Sequence, residues 1–104
     1  MNHMNEIKDV DRLIHEPTRY LLMAHLFLVK EADFVFLARK VGLTGGNLSS
    51  HMSKLEDAGY VSVVKSFVNK RPQTTFRLTK NGRAAFTSYR DIMLRILEWE
   101  KSKN

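Results

Sequence analysis

Asn47, Ser50 and Lys54 follow one another at intervals of three and four residues, which places an amide, a hydroxyl and an ammonium on one side of a helix. An amide can bond an adenine edge in two places, and a hydroxyl can donate or accept at either base edge. Lys54, a turn further on, suits phosphate. Leu48, Met52 and Leu55 take the complementary positions and point to a core, leaving Gly45, Gly46, Asn47, Ser50 and Lys54 outward. Thr44 can cap this helix with its hydroxyl. Gly45-Gly46 costs helix stability, on the order of 1 kcal/mol per glycine against alanine. It also allows close backbone approach, with first-turn N–H groups that suit a phosphate. A frayed helix start is the bland alternative. A second basic group, Asn69-Lys70-Arg71 with Gln73, lies between two β-branched and aromatic stretches, residues 60–67 and 74–78. Such a hairpin tip, a wing over 68–73 with a turn that includes Pro72, can straddle a backbone or enter a minor groove. A solvated turn is its alternative. His51, beside the inward stripe, reads more readily as a packed, hydrogen-bonded histidine than as a DNA contact.

Other chemistries lack their residues. The chain has no cysteine, no glycine-rich phosphate loop and no His-Glu-x-x-His pattern, and its four histidines (His3, His15, His25, His51) are dispersed. The expectation is no enzyme, no metal and no cofactor. The absence of cysteine fits a reducing cytosol. The polar start and the lack of an apolar run near 20 residues predict a soluble, cytoplasmic protein with no membrane contact.

The elements that would hold these side chains can be read in order. Ile7, Val10, Leu13 and Ile14 fall on one face, predicting a first helix over about residues 5–15. Pro17 breaks it and opens a second helix to about Lys30, apolar on most sides, as a central core helix would be. Residues 32–34 read as a short connection or edge strand. A short helix then runs to Val41, with Gly42 as its left-handed cap. The reading helix spans 44–58, and Gly59 ends it. The hairpin follows, and Thr79 caps a last helix over about 80–101. The fold class is mainly α with a small β-wing: a winged helix-turn-helix with flanking terminal helices, one domain over 1–104 with about five helices.

Charge follows this division. The chain carries +6 overall, but residues 39–83 hold nine Lys/Arg against two acids, a net +7, while residues 1–38 are at −2 and the last 21 at +1. Excess positive charge on the reading unit is what phosphate neutralisation requires. In the last helix, Phe86, Tyr89, Met93 and Ile96 form a stripe that Ile92, Leu97 and Trp99 widen beyond one small core. This predicts a homodimer seam of Ile7, Val10, Ile14, Tyr89, Ile92, Met93, Ile96 and Trp99, with an all-intramolecular core as the alternative. Symmetric pairing would set two reading helices about one DNA turn apart, on a palindromic operator in double-stranded DNA.

Residues 34–86 resemble the winged-helix transcriptional regulators related to the MarR and ArsR groups, nearest their compact subgroup. The resemblance is carried by Gly42-Leu43-Thr44-x-Gly46-Asn47-Leu48-Ser49-x-His51-x-x-Lys54-Leu55-Glu56-x-Ala58-Gly59. Lys70-Arg71-Pro72-x-Thr74, Leu78-Thr79-x-x-Gly82-Arg83 and, upstream, His15-x-Pro17-Thr18-Arg19 extend it. It implies a cytoplasmic homodimeric DNA-binding regulator, most often a repressor. Thr44, Gly46, Asn47, Ser49, Ser50 and Lys54 would then lie in the major groove or on its walls, and Lys70 and Arg71 in the wing contact. Gly45 stands where relatives commonly have a polar residue, and Ser50 where many have arginine. The cysteine clusters of metal-sensing relatives are absent, and no residue identifies a small-molecule effector. A protein-interaction module and a non-specific architectural DNA binder are the rival readings of the same chain.

Overall fold

The computed structural model of the chain describes residues 8–103. Each helix begins and ends on short-range side-chain and backbone chemistry. Helix α1 (Pro17–Leu28) carries proline in its first turn, and the Glu16 carboxylate accepts the Arg19 N–H at 2.7 Å. Strand β1 (Ala32–Asp33) leads into α2 (Phe34–Val41), where the Asp33 carboxylate accepts the N–H groups of Val35 and Phe36. Gly42, at φ 74°, ends that helix in the left-handed region, as its position suggested. Thr44 accepts the Asn47 N–H at 3.2 Å and starts α3 (Gly45–Asp57). Gly59, at φ 79°, stops it: its N–H reaches the Glu56 carbonyl and the Tyr60 N–H the Leu55 carbonyl, a Schellman closure.

Strands β2 (Val61–Val68) and β3 (Arg71–Leu78) form the wing, and β1 adds to the far side of β3 in an antiparallel sheet of order β1-β3-β2. The link is Asn69-Lys70, both at positive φ (52° and 65°), the two-residue turn whose twist suits a hairpin. The turn is tighter than the sequence suggested, and Pro72 lies in β3 rather than in the turn. Helix α4 (Lys80–Lys103) follows at once. The Thr79 hydroxyl accepts the Gly82 N–H at 2.9 Å and donates to the Gly59 carbonyl, and the Thr79 N–H bonds the Tyr60 carbonyl. Both ends of the wing are thereby fastened together at its base.

One core serves these elements. Leu22, Met23 and Leu26 of α1, Leu37 of α2, Leu48, Met52 and Leu55 of α3, Val61 and Phe76 of the wing base and Phe86 and Tyr89 of α4 meet in it. Tyr20 and Phe27 stack against Phe86, and Tyr20 against Tyr89, joining α1 to the first half of α4. The radius of gyration, 15.8 Å, exceeds the roughly 13 Å of a compact chain this long. The wing and the second half of α4 account for the excess, since residues 64–72 are all exposed and α4 extends about 36 Å. No helix among the described residues is long and apolar enough to cross a membrane.

The helix expected over residues 5–15 is corrected where it can be seen; residues 5–7 lie outside the described part. Lys8 is helical, but residues 9–16 are turns and bends apart from Asp11, which takes no regular structure. The cause is Asp11, whose carboxylate accepts the N–H groups of Leu13 and Ile14 at 2.9 and 3.2 Å, a local bonding that competes with helix. The turn drives Ile14 wholly into the core. The other Asp11 oxygen accepts the Tyr60 hydroxyl at 2.5 Å. Burial, then that hydrogen bond and the Asp11 charge, push the Tyr60 phenol up to about 12 from 10.0. The folded state therefore holds this proton more tightly than the unfolded one. The resulting stability is complete below pH 10 and is lost as pH rises from 10 to 12. The urea midpoint should fall across that interval, and Tyr60→Phe should remove this component. The residual slope would come from Tyr89, which burial also raises.

Candidate nucleic-acid interface

Helix α3 buries Leu48, Met52 and Leu55 and leaves its other sides in solvent. Gly46, Asn47, Ser49, Ser50 and Lys54 are all exposed, as are Asn69, Lys70 and Arg71 at the wing, and Gln73 is half-buried. Thr44 is exposed but its hydroxyl is engaged as the helix cap. The amide, hydroxyl and ammonium of Asn47, Ser50 and Lys54 stand on the arc away from the core. Ser49 stands to one side of it, toward the wing.

Between α3 and the ribbon runs an open groove of about 220 Å³, with Ser49, Ser53 and Glu56 on the helix side and Lys65 and Thr74 on the ribbon side. Ser53 and Lys65 were not among the residues singled out from sequence. Ser53 follows Ser49 by one helical turn, a spacing that could have identified it. Lys65 needed the strand register, because alternation alone does not say which ribbon face looks toward the helix. Register also separates the tip residues: Gln73 pairs with Ser66 and Arg71 with Val68, on the face opposite Lys65 and Thr74.

His51 is held inward. Arg19 donates from its guanidinium to His51 Nδ1 at 3.2 Å, and its Nε donates to the Leu13 carbonyl at 2.6 Å. A guanidinium only donates, so Nδ1 is the acceptor in this contact. Glu16 lies 3.9 Å from the same nitrogen, too far for a hydrogen bond. Burial raises the Glu16 carboxyl, but the backbone N–H groups of Arg19 and Thr18, with His51 and then Arg19 beside it, outweigh it and hold the group below its ordinary 4.5. Helix α3 is thus tied through Arg19 to the turn before α1.

Part of the central positive charge is committed elsewhere. Arg77 pairs with Glu31 at 2.8 Å, and Arg83 lies over the Phe27 ring and donates to the Phe27 carbonyl. Lys65 remains exposed in the α3–wing groove, Lys54 on the outer side of α3, and Lys70 and Arg71 at the ribbon tip. The expected seam divides as well. Ile14, Tyr89 and Ile92 are buried within the single chain, Val10 and Met93 pack partly on its core, and Ile96 and Trp99 are half-buried. Ile7 lies outside the described residues. Leu94 and Leu97, 53% and 54% exposed, are the large apolar side chains that α4 leaves in solvent.

Comparison with known proteins agrees with this geometry. Residues 18–97 match the family described as the winged helix DNA-binding domain. An uncharacterised protein of Methanocaldococcus jannaschii is 35% identical over 78 residues, covering 75% of this chain and 85% of that one. A transcriptional regulator homologue from Pyrococcus horikoshii OT3 superposes with a TM-score of 0.84 at 26% identity, over 94% of this chain and 96% of its own. A protein of Enterococcus faecalis V583 assigned to the MarR family of transcriptional regulators has the same fold (TM-score 0.75, 20% identity, 99% and 93% covered). So does the transcriptional repressor CouR, solved on a 23-mer DNA duplex (TM-score 0.69, 17% identity, 88% and 66% covered). The chain belongs to the winged helix DNA-binding domain family, with the fold of the MarR-type transcriptional regulators.

Proposed function

We propose that this protein is a homodimeric, sequence-specific transcriptional regulator that represses by occupying a palindromic operator. Helix α3 enters the major groove with Asn47, Ser50 and Lys54, and the wing meets the flanking backbone or minor groove through Lys70 and Arg71. The observation that carries this reading is the exposed polar face of α3, with Asn47, Ser50 and Lys54, beside a ribbon whose tip carries exposed Lys70 and Arg71. The DNA-bound state of CouR, a protein of similar fold, supports it. Dimerisation is supported by α4, which runs on past the core with Leu94 and Leu97 in solvent and Met93, Ile96 and Trp99 only partly covered.

The test is fluorescence anisotropy on DNA from the protein's own promoter region beside a scrambled duplex, at two salt concentrations. Specific regulation predicts a preference of about a thousand-fold or more. Equal, salt-sensitive binding would leave an architectural binder, and no binding would favour a protein-interaction module. Within the specific complex, Asn47→Ala should relax discrimination at one base pair by about 1–3 kcal/mol while leaving the salt slope unchanged, because it removes a base contact and no phosphate contact. A uniform loss across all sequences would remove Asn47 from the reading set.

A further inference from the structure

Phe67 stands 77% exposed near the end of the ribbon. Along the ribbon face that looks onto the α3 groove, Val63 pairs with Phe76 at the base, Lys65 with Thr74 next, and Phe67 with Pro72 last. In a two-residue hairpin the pair flanking the turn exchanges ladder hydrogen bonds and the next pair does not. That next pair is Phe67–Pro72, so the missing N–H of proline costs the ladder nothing, and the close spacing sets both apolar side chains side by side. The surround is cationic. Lys65 precedes Phe67 on its face, Lys70 and Arg71 follow at the turn, and no acid occurs between Asp57 and Asp91.

A phenyl ring with one cation on its own face and two more at the adjoining turn fits a surface with anionic walls and an apolar interior. The minor groove of DNA is such a surface, because phosphates line it and its stacked bases open to an inserted apolar side chain, kinking the duplex. Position agrees with chemistry. The tip continues the groove beside α3, so a duplex that receives α3 in its major groove presents the neighbouring minor groove to Phe67.

We infer that Phe67, backed by Pro72, is an apolar wedge that enters the minor groove beside the α3 site and unstacks one base step. The inference rests on the DNA-reading function proposed above. It makes flanking sequence part of specificity at positions that no hydrogen-bonding side chain touches: pyrimidine–purine steps, which kink most easily, are preferred under the tip.

The experiment uses the full chain and a duplex it selects from a random pool, with 2-aminopurine placed in turn at each flanking step and end-to-end energy transfer reporting the bend. Wild-type protein should brighten 2-aminopurine at one step per wing and shorten the end-to-end distance. Phe67→Ala should lose both signals and bind on the order of ten-fold more weakly with an unchanged salt slope. Phe67→Leu, still an apolar wedge, should retain most of the bend. Selected duplexes that bind without brightening or bending, or an alanine variant indistinguishable from wild type, would overturn the wedge and leave DNA reading intact. A change in the sedimentation of the DNA-free protein on Phe67→Ala would place the ring on a protein surface and overturn it too. Failure of the wild type to select any duplex would remove the DNA-reading function, and the wedge with it.

Discussion

Gly82→Ala will lower the thermal midpoint by about 10–20 °C, corresponding to roughly 2–3 kcal/mol in a domain of this size. Two effects compete at this position. Alanine favours a helix interior by up to about 1 kcal/mol over glycine, so an unconstrained site would gain stability. Here an added Cβ would collide with the Tyr60 carbonyl and with the Tyr60 backbone around it. A flexible side chain could swing away, but a peptide unit cannot. Relief requires the start of α4 to move off the wing base. That movement would break the Thr79 bonds to Tyr60 and Gly59 and disturb Phe86 and Tyr89 in the core. The collision therefore outweighs the helix preference. Differential scanning calorimetry measures it directly, and an unchanged or raised midpoint would mean that α4 does not approach the wing base this closely.

Replacing Lys70 and Arg71 together by glutamine will flatten the log–log dependence of DNA affinity on salt by about 1.8 for each wing engaged. At 0.1 M salt this corresponds to roughly fifty-fold in affinity per wing, equally for every sequence, because phosphates carry no base information. The change should leave the fold alone, since both side chains are exposed at a turn. Lys70 allows a sharper separation. It sits at φ 65°, where a side chain costs about 1 kcal/mol or more and glycine costs little. Lys70→Gly should raise stability while still weakening binding. Salt titrations beside urea melts decide the matter, and an unchanged slope in the double variant would displace the wing from the phosphate backbone.

What the sequence disclosed, and what it withheld, divides by the range of the interaction responsible. Thr44, Thr79, Gly42 and Gly59 act within a few residues of themselves, and the structure places each as a cap or stop where its type suggested. The inward stripe of Leu48, Met52 and Leu55 was equally plain, because helical periodicity is a local property. Around Asp11 periodicity misled: Val10, Leu13 and Ile14 do turn toward the core, but the carboxylate bends the chain instead of letting it coil. The tie between Arg19 and His51 spans 32 positions, and the pairing of Arg77 with Glu31 spans 46, so no window along the chain could show them. Charge counting consequently credited the DNA face with Arg77 and Arg83, which the fold engages elsewhere. Ser53 was legible from its one-turn spacing behind Ser49, but Lys65 emerges only once the wing register brings ribbon and helix to one groove.

The fastening of the wing at one end has a mechanical consequence. Tyr60 and Thr79 are clamped to each other and to the first turn of α4, and β1 still pairs Asp33 with Thr75 opposite Val64, so the ribbon runs on its own ladder from Lys65 and Thr74 outward. The free part, from Lys65 to the turn, is a cantilever about 16 Å long. A tilt of about 10° at its root, within the give of a few hydrogen bonds, sweeps the tip through about 3 Å, roughly half the width of a minor groove. Stiffness is concentrated in the root and compliance delivered at the tip. In the proposed complex the helix would stay seated while the tip followed grooves of differing width, and a substitution at the root should retune the tip without touching it.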